Sequence, residues 1–142
     1  MAPTIAEPSV ARVPLDQEQV VDAAAELADA EGLDALTLTR VAKELGVRQP
    51  ALYRHVESYQ DLLRLLSLRG REQLAAALSE AAIGVSGDEA VGAVGRAWRS
   101  TVLANPGLYE ATDRYPCAGD EELEEAVERI VGVIAQALAG FD

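Results

Sequence analysis

Between residues 16 and 31, apolar residues recur at Val20, Ala24, Leu27 and Ala28. That i, i+4, i+7, i+8 spacing lays one stripe along a helix. Asp16 and Glu18 put negative charge at the positive end of its dipole, and Gly32 supplies the stop. Leu33 to Leu38 reads as a connector anchored by Leu36 and Leu38. Thr39 is the expected N-cap of a short second helix with Val41, Ala42 and Leu45 on its apolar face. Gly46 ends that helix, because glycine takes positive φ at little cost. After a turn over Gly46 to Arg48, Pro50 opens a third helix, where its missing N–H is no loss. Leu52 and Val56, i and i+4, face inward. Ser58 heads "SYQD", a capping-box pattern with Asp61. It starts a long helix through Leu62, Leu65, Leu66, Leu74 and Leu78 to about Ala82, with a bend expected at Gly70. "GVSGD", 84 to 88, is a loop, and a fifth helix runs from about Asp88 to Ala104. "NPG" at 105 to 107 ends it, and 108 to 115 form a short segment. After a loop from Pro116 to Asp120, the last helix, 121 to 139, sets Leu123, Val127, Ile130, Val131, Ile134 and Leu138 on one face. Glu121, Glu122, Glu124, Glu125 and Glu128 form its solvated side. No strand pattern and no internal repeat occur, so the predicted class is all-α.

Composition agrees with a helical chain. Of 142 residues, 49% are apolar but only 4% aromatic, so Leu, Val and Ala must build the core. The single cysteine, Cys117, excludes an internal disulfide and a multi-cysteine zinc site. It reads as a small packed residue rather than a nucleophile. No apolar run reaches the ~18 residues a membrane span needs. Residues 1 to 14 have three prolines and no periodicity, which reads as a mobile arm. They lack the basic start and apolar block of a signal peptide, so a cytoplasmic location is expected. Enzyme chemistry fails on inventory: one His, one Cys, no glycine-rich phosphate loop and no nucleophile–base pattern. No cofactor is implied. A metal site is not expected either, since His55 has no second ligand at i+3 or i+4.

Charge changes the picture. The formal net charge is −12, which on its face argues against nucleic acid. Residues 40 to 56, however, hold Arg40, Lys43, Arg48 and Arg54 against Glu44, giving +4 − 1 = +3 and leaving −12 − 3 = −15 elsewhere. The basic stretch coincides with the two short helices and their glycine turn, the helix-turn-helix arrangement. Once Val47, Leu52 and Val56 are turned inward, Arg48, Gln49, Pro50, Ala51, Tyr53, Arg54 and His55 face outward. Gln49 can pair bidentately with adenine, and Pro50 or Ala51 can meet a thymine methyl. Tyr53 and His55 can reach phosphate oxygens. Thr39, at the start of the second helix, can receive another phosphate. Tyr53 has the alternative of packing on its own helix, and His55 that of a plain surface histidine. Arg40 and Lys43 are candidates for phosphate contact or for pairing with acids of the first helix.

"LTLTRVAKELGVRQPALYRHVESYQDLL", 36 to 63, resembles the DNA-binding domain of the tetracycline repressor (TetR) family, over about residues 15 to 66. "RAWRSTVLANPGLYEATDRYP", 96 to 116, is similar to a ligand-binding region in one branch of that family. The resemblance implies a homodimeric repressor that reads a palindromic operator in double-stranded DNA and is released by a small molecule. It puts Thr39, Gln49, Pro50, Ala51, Tyr53 and His55 on operator-contact positions. Tyr59 occupies a further contact position where the family usually has lysine, and Glu57 adds a negative charge beside it. The implied organisation is a head at 15 to 60 and a ligand-binding and dimerisation body at 61 to 142. The family continues with two more long helices, so a longer protein is expected. Trp98, Val102, Tyr109 and Tyr115 are candidates to line a cavity between body helices; for Trp98, plain core packing is the alternative. The other functional reading is a helical interaction module or fragment without DNA binding.

Overall fold

The computed structural model describes residues 14–140, so the arm expected at 1 to 14 lies outside it except for Pro14. Seven α-helices and one 3₁₀ turn follow in order: α1 (Gln17–Glu31), the 3₁₀ turn (Leu33–Ala35), α2 (Leu38–Leu45), α3 (Gln49–Leu52), α4 (Tyr59–Ala81), α5 (Gly87–Ala104), α6 (Pro106–Arg114) and α7 (Glu121–Leu138). Among the described residues there is no strand.

α1 starts where its charge pattern indicates. The Asp16 carboxylate accepts from Gln19 N–H at 2.8 Å, and the Gln19 side chain accepts from Asp16 N–H at 2.9 Å, a closed capping box. Val20, Ala24, Leu27 and Ala28 are all buried, as their spacing predicts. α4 is the spine of the molecule. It packs against α5, α6 and α7 and also reaches α1, so one uninterrupted helix belongs to both head and body. Ser58 caps it by accepting from Asp61 N–H at 3.1 Å. The return bond expected of the capping box goes one residue further back, from Glu57 N–H to Asp61 Oδ2 at 2.9 Å.

Two expectations about the body change, and Gly70 has a role the sequence did not suggest. It is buried where α6 crosses α4, and a Cβ there would stand 3.1 Å from Thr112 Cγ2 and 3.4 Å from Tyr109 Cε1. "NPG" does not merely end α5: Pro106 also opens α6, which runs to Arg114. The α7 face is rotated from the expected one. Leu123, Ala126, Ile130 and Ala137 are buried, while Val131 and Leu138 are 56% and 54% exposed. The two small alanines let α7 approach its neighbours closely, and that outweighs the larger residues on the other stripe.

α6 locks head to body. Gly107 presses against the backbone of α1, where a Cβ would fall 2.2 Å from the carbonyl carbon and oxygen of Ala28. Asn105 makes no side-chain cap for α6. Asp29 of α1 supplies the missing acceptor, taking Leu108 N–H at 2.9 Å, and places a carboxylate at the positive end of the α6 dipole. Glu110 accepts from Leu33 N–H at 3.4 Å, and Arg114 meets Asp34 at 2.8 Å. At the other end of α6, Arg71 of α4 donates to the Thr112 and Tyr115 carbonyls, and buried Ser67 donates to the Tyr115 carbonyl at 2.8 Å. Asp120 ties α7 to α4 by accepting from Leu123 N–H and from two N–H groups of Arg64, at 2.6 and 3.0 Å.

Two glycine substitutions should act oppositely. Gly107→Ala overpacks the α1–α6 contact and should destabilise by at least ~1–3 kcal/mol. Gly132→Ala, in a helix with nothing within 4 Å, should stabilise by about 0.5–1 kcal/mol. Denaturant midpoints of the two variants check the pair. The Arg64 hydrogen bonds hold the Asp120 carboxyl below the usual carboxylate range. Its contribution is therefore full above the unfolded-state pKa and lost as pH falls through the lower folded value. Asp120→Asn keeps a cap acceptor but loses this charge, so its stability deficit should shrink steadily on acidification below about pH 4, read by melting at several pH values.

Candidate nucleic-acid interface

The reader is built on α2, its turn and α3. Thr37, not Thr39, caps α2: Thr37 has extended backbone (φ −141°, ψ 158°), and its hydroxyl accepts from Arg40 N–H at 3.0 Å. "LTLT" offers two threonines around Leu38, and the burial of Leu38 makes it the first helical residue. Gly46 has left-handed backbone at φ 69°, with its N–H on Lys43 O and Val47 N–H on Ala42 O at 3.0 Å. The chain then turns into α3, which carries Pro50 in its first turn. α3 is shorter than expected, a single turn from Gln49 to Leu52. Turns at 53 to 55 continue it, with Tyr53 N–H on Pro50 O at 3.2 Å and Val56 N–H on Leu52 O at 3.0 Å. The chain must reach the extended Ser58 cap (φ −166°, ψ 174°), and that ends the helical run.

Leu52 and Val56 are 0% and 1% exposed and hold this segment down, with Val41 and Ala42 buried beneath it. Gln17 adds an anchor that the sequence pattern did not reveal, donating from Nε2 to the His55 carbonyl at 2.9 Å. Its signal was obscured because Gln17 lies in the first turn of α1, far from the reader in sequence.

The outward residues fall into distinct groups. Thr39, Lys43, Arg48, Pro50, Tyr53 and Arg54 are exposed; Gln49, Ala51 and His55 are partly covered. Tyr53, at 49% exposure, stands outside the core. Thr39 Oγ1 donates to Gln49 Oε1 at 2.9 Å, and Gln49 Nε2 donates to the Tyr53 hydroxyl at 3.3 Å. Arg40 forms an ion pair with Glu31 of α1 at 2.7 Å. Among the described residues, Lys43, Arg48 and Arg54 form no ion pair, whereas Arg64, Arg69, Arg114 and Arg129 each meet a carboxylate. Arg96 and Arg99 of α5 are likewise without one.

Tyr59 is not part of this face. It is half-buried and packs against the core. Burial pushes its phenol pKa up, with Arg114 opposing and Asp34 and Glu110 adding to the rise. Those groups belong to the seam between head and body.

The four body candidates do not surround one cavity. Trp98 borders an open apolar groove of about 270 Å³ with Val91, Val94, Ile134 and Leu138, between α5 and α7. Tyr109 is buried against Gly70 of α4 instead, and its hydroxyl has no hydrogen-bond partner among the described residues. Burial and the nearby Asp29 push its pKa up to about 12. Val102 and Tyr115 are partly buried against the core and do not border the Trp98 groove. A second open groove, about 430 Å³, lies between the end of α4, the α4–α5 loop and the end of α7.

A short capped helix, a left-handed glycine turn and a proline-led reader on an apolar seat define a helix-turn-helix head, here carried on a helical body. Residues 20–66 match the model for bacterial regulatory proteins of the tetR family. The chain belongs to that family. It is 36% identical over 132 residues to an HTH-type transcriptional regulator of Mycobacterium tuberculosis, covering 92% of this chain and 60% of the relative. It is 44% identical over 54 residues to the class D tetracycline repressor protein from Escherichia coli, covering 38% of this chain and 25% of the repressor. The fold superposes on apo ActR from Streptomyces coelicolor with a TM-score of 0.60 and 28% identity, over 88% of this chain and 58% of that one. A protein of unknown function from Rhodococcus shares the fold at a TM-score of 0.74 and 24% identity, over 94% and 72%. The chain thus spans three-fifths of the length of the M. tuberculosis relative. No helix among the described residues is long and apolar enough to cross a membrane.

The Glu31–Arg40 pair is solvent-exposed and contributes little to stability, about 0–1 kcal/mol. Glu31→Gln should therefore leave the fold intact and release Arg40. Binding to DNA of any sequence should tighten, and the slope of log K against log salt should steepen by about 0.9 for one added phosphate contact. Titrations at several salt concentrations check this. An unchanged slope would remove Arg40 from the interface.

Proposed function

We propose that the protein is a transcriptional repressor that reads duplex DNA with the segment from Arg48 to His55. The observation that carries this reading is the pairing pattern of the head. Leu52 and Val56 bury one side of the segment, and the opposite side presents Gln49, Pro50, Ala51 and Tyr53. Among the described residues, Lys43, Arg48 and Arg54 flank it without carboxylate partners. Gln49 and the apolar Pro50 and Ala51 suit base edges, and the cations and Tyr53 suit phosphates. The name of the class D relative, a repressor, supports the direction of regulation.

The unit at work in this proposal is a homodimer with a head at 15 to 60 and a body at 61 to 142, acting in the cytoplasm on a palindromic operator. Two readers about 34–36 Å apart would enter successive major grooves. One reader alone binds weakly, and linking two multiplies affinity. A small molecule in the body, with the apolar groove beside Trp98 as its candidate seat, would favour a head spacing that no longer fits DNA. The α6 lock gives that signal a path, because Gly107 and Asp29 leave little room for α6 to move without α1.

Selection from a random pool of duplexes tests the proposal. The expected product is an enriched palindrome with half-sites about one helical turn apart, whose binding weakens steeply with salt. A confirmed dimer that enriches no sequence at low salt would overturn it.

A further inference from the structure

Thr39 and Gln49 belong to different helices of the head, yet Thr39 Oγ1 donates to Gln49 Oε1 at 2.9 Å. The other end of the same amide is held too, since Gln49 Nε2 donates to the Tyr53 hydroxyl at 3.3 Å, one turn further along the reader. A surface glutamine ordinarily samples many rotamers, and ordering it on binding opposes affinity. This one is clamped at both ends before any DNA arrives.

We propose that Thr39 is a positioning residue, which sets the Gln49 amide in the orientation that reads an adenine edge, rather than a phosphate contact in its own right. The inference rests on the reading of the head as a DNA reader. A carboxamide has two acceptor sites on its oxygen and two N–H donors. Thr39 takes one acceptor site and Tyr53 one donor, from opposite ends of the group. One acceptor and one donor remain, the pair that meets adenine N6–H and N7. The Thr39 proton is already committed to Gln49, so it is not available to a phosphate oxygen unless the clamp opens. Capping of α2 falls to Thr37, which leaves Thr39 free of that structural duty. Its β-branch also restricts χ1, so the hydroxyl is held where Gln49 needs it.

Two measurements on the full chain test this. Without DNA, the side-chain amide NMR signals of Gln49 should move toward those of a free glutamine in Thr39→Val and stay near wild type in Thr39→Ser. With DNA selected from a random pool, one bidentate contact confers a preference of roughly 5- to 150-fold at a single base pair. Thr39→Val should lower the adenine preference at one position by about fivefold or more, and Thr39→Ser should restore most of it. Gln49→Ala should lose preference at that same position, and adding Thr39→Val to it should cost nothing further there. Equal weakening on all sequences, additive with Gln49→Ala, would overturn the proposal and make Thr39 a backbone contact. If the wild type enriches no sequence, the repressor reading fails. The amide signals still decide the clamp, and signals unmoved in Thr39→Val would refute it.

Discussion

The close approach of Gly107 to the Ala28 backbone is the constraint on which the arrangement of the molecule depends. No side chain larger than hydrogen fits there, so α6 can lie directly on α1. The contact brings Leu108 N–H to the Asp29 carboxylate, and Glu110 and Arg114 to the 3₁₀ turn at Leu33 and Asp34. A cap that α6 lacks in its own sequence is thus supplied by the helix it touches. The opposite end of α6 is held by Arg71 and, through the Tyr115 carbonyl, by Ser67 of α4. Since α4 also follows the reader in the chain, α1, α4 and α6 form a closed frame of mutual contacts.

Much of this fold is legible in the chain because it depends on local chemistry. The α1 stripe, the Gly46 turn and the inward Leu52 and Val56 are set by spacing and by glycine's left-handed backbone, and all hold. What is not legible depends on partners distant in sequence. Gly70 and Gly107 look like a bend and a stop; each is a place where another helix presses in. The α7 face is ambiguous because its sequence offers two apolar stripes, and the one that is buried includes the alanines at 126 and 137. Thr37 and Thr39 compete for one cap, and the burial of Leu38 decides between them. Within the site, the outward set from Arg48 to Arg54 follows from the helical period, whereas the pairing of Arg40 with Glu31 and the withdrawal of Tyr59 into the seam do not.

The head shows a division of labour among its polar groups. Thr37 and Asp16 serve the backbone by capping, Gln17 holds the His55 carbonyl, and Arg40 is engaged with Glu31. Gln49 is ordered by two hydroxyls from its flanks. Most of the positional work is therefore complete in the free protein, and rigid sites lose less freedom on binding than flexible ones.

The uneven charge has a kinetic meaning. Residues 40 to 56 carry +3 within a chain whose remainder carries −15. Seven carboxylates of that remainder, from Asp16 to Asp34, lie in or next to α1, within the head itself. Near a polyanion the basic stretch would be drawn in while the acid around it is repelled, so an approach with any other face leading would be disfavoured.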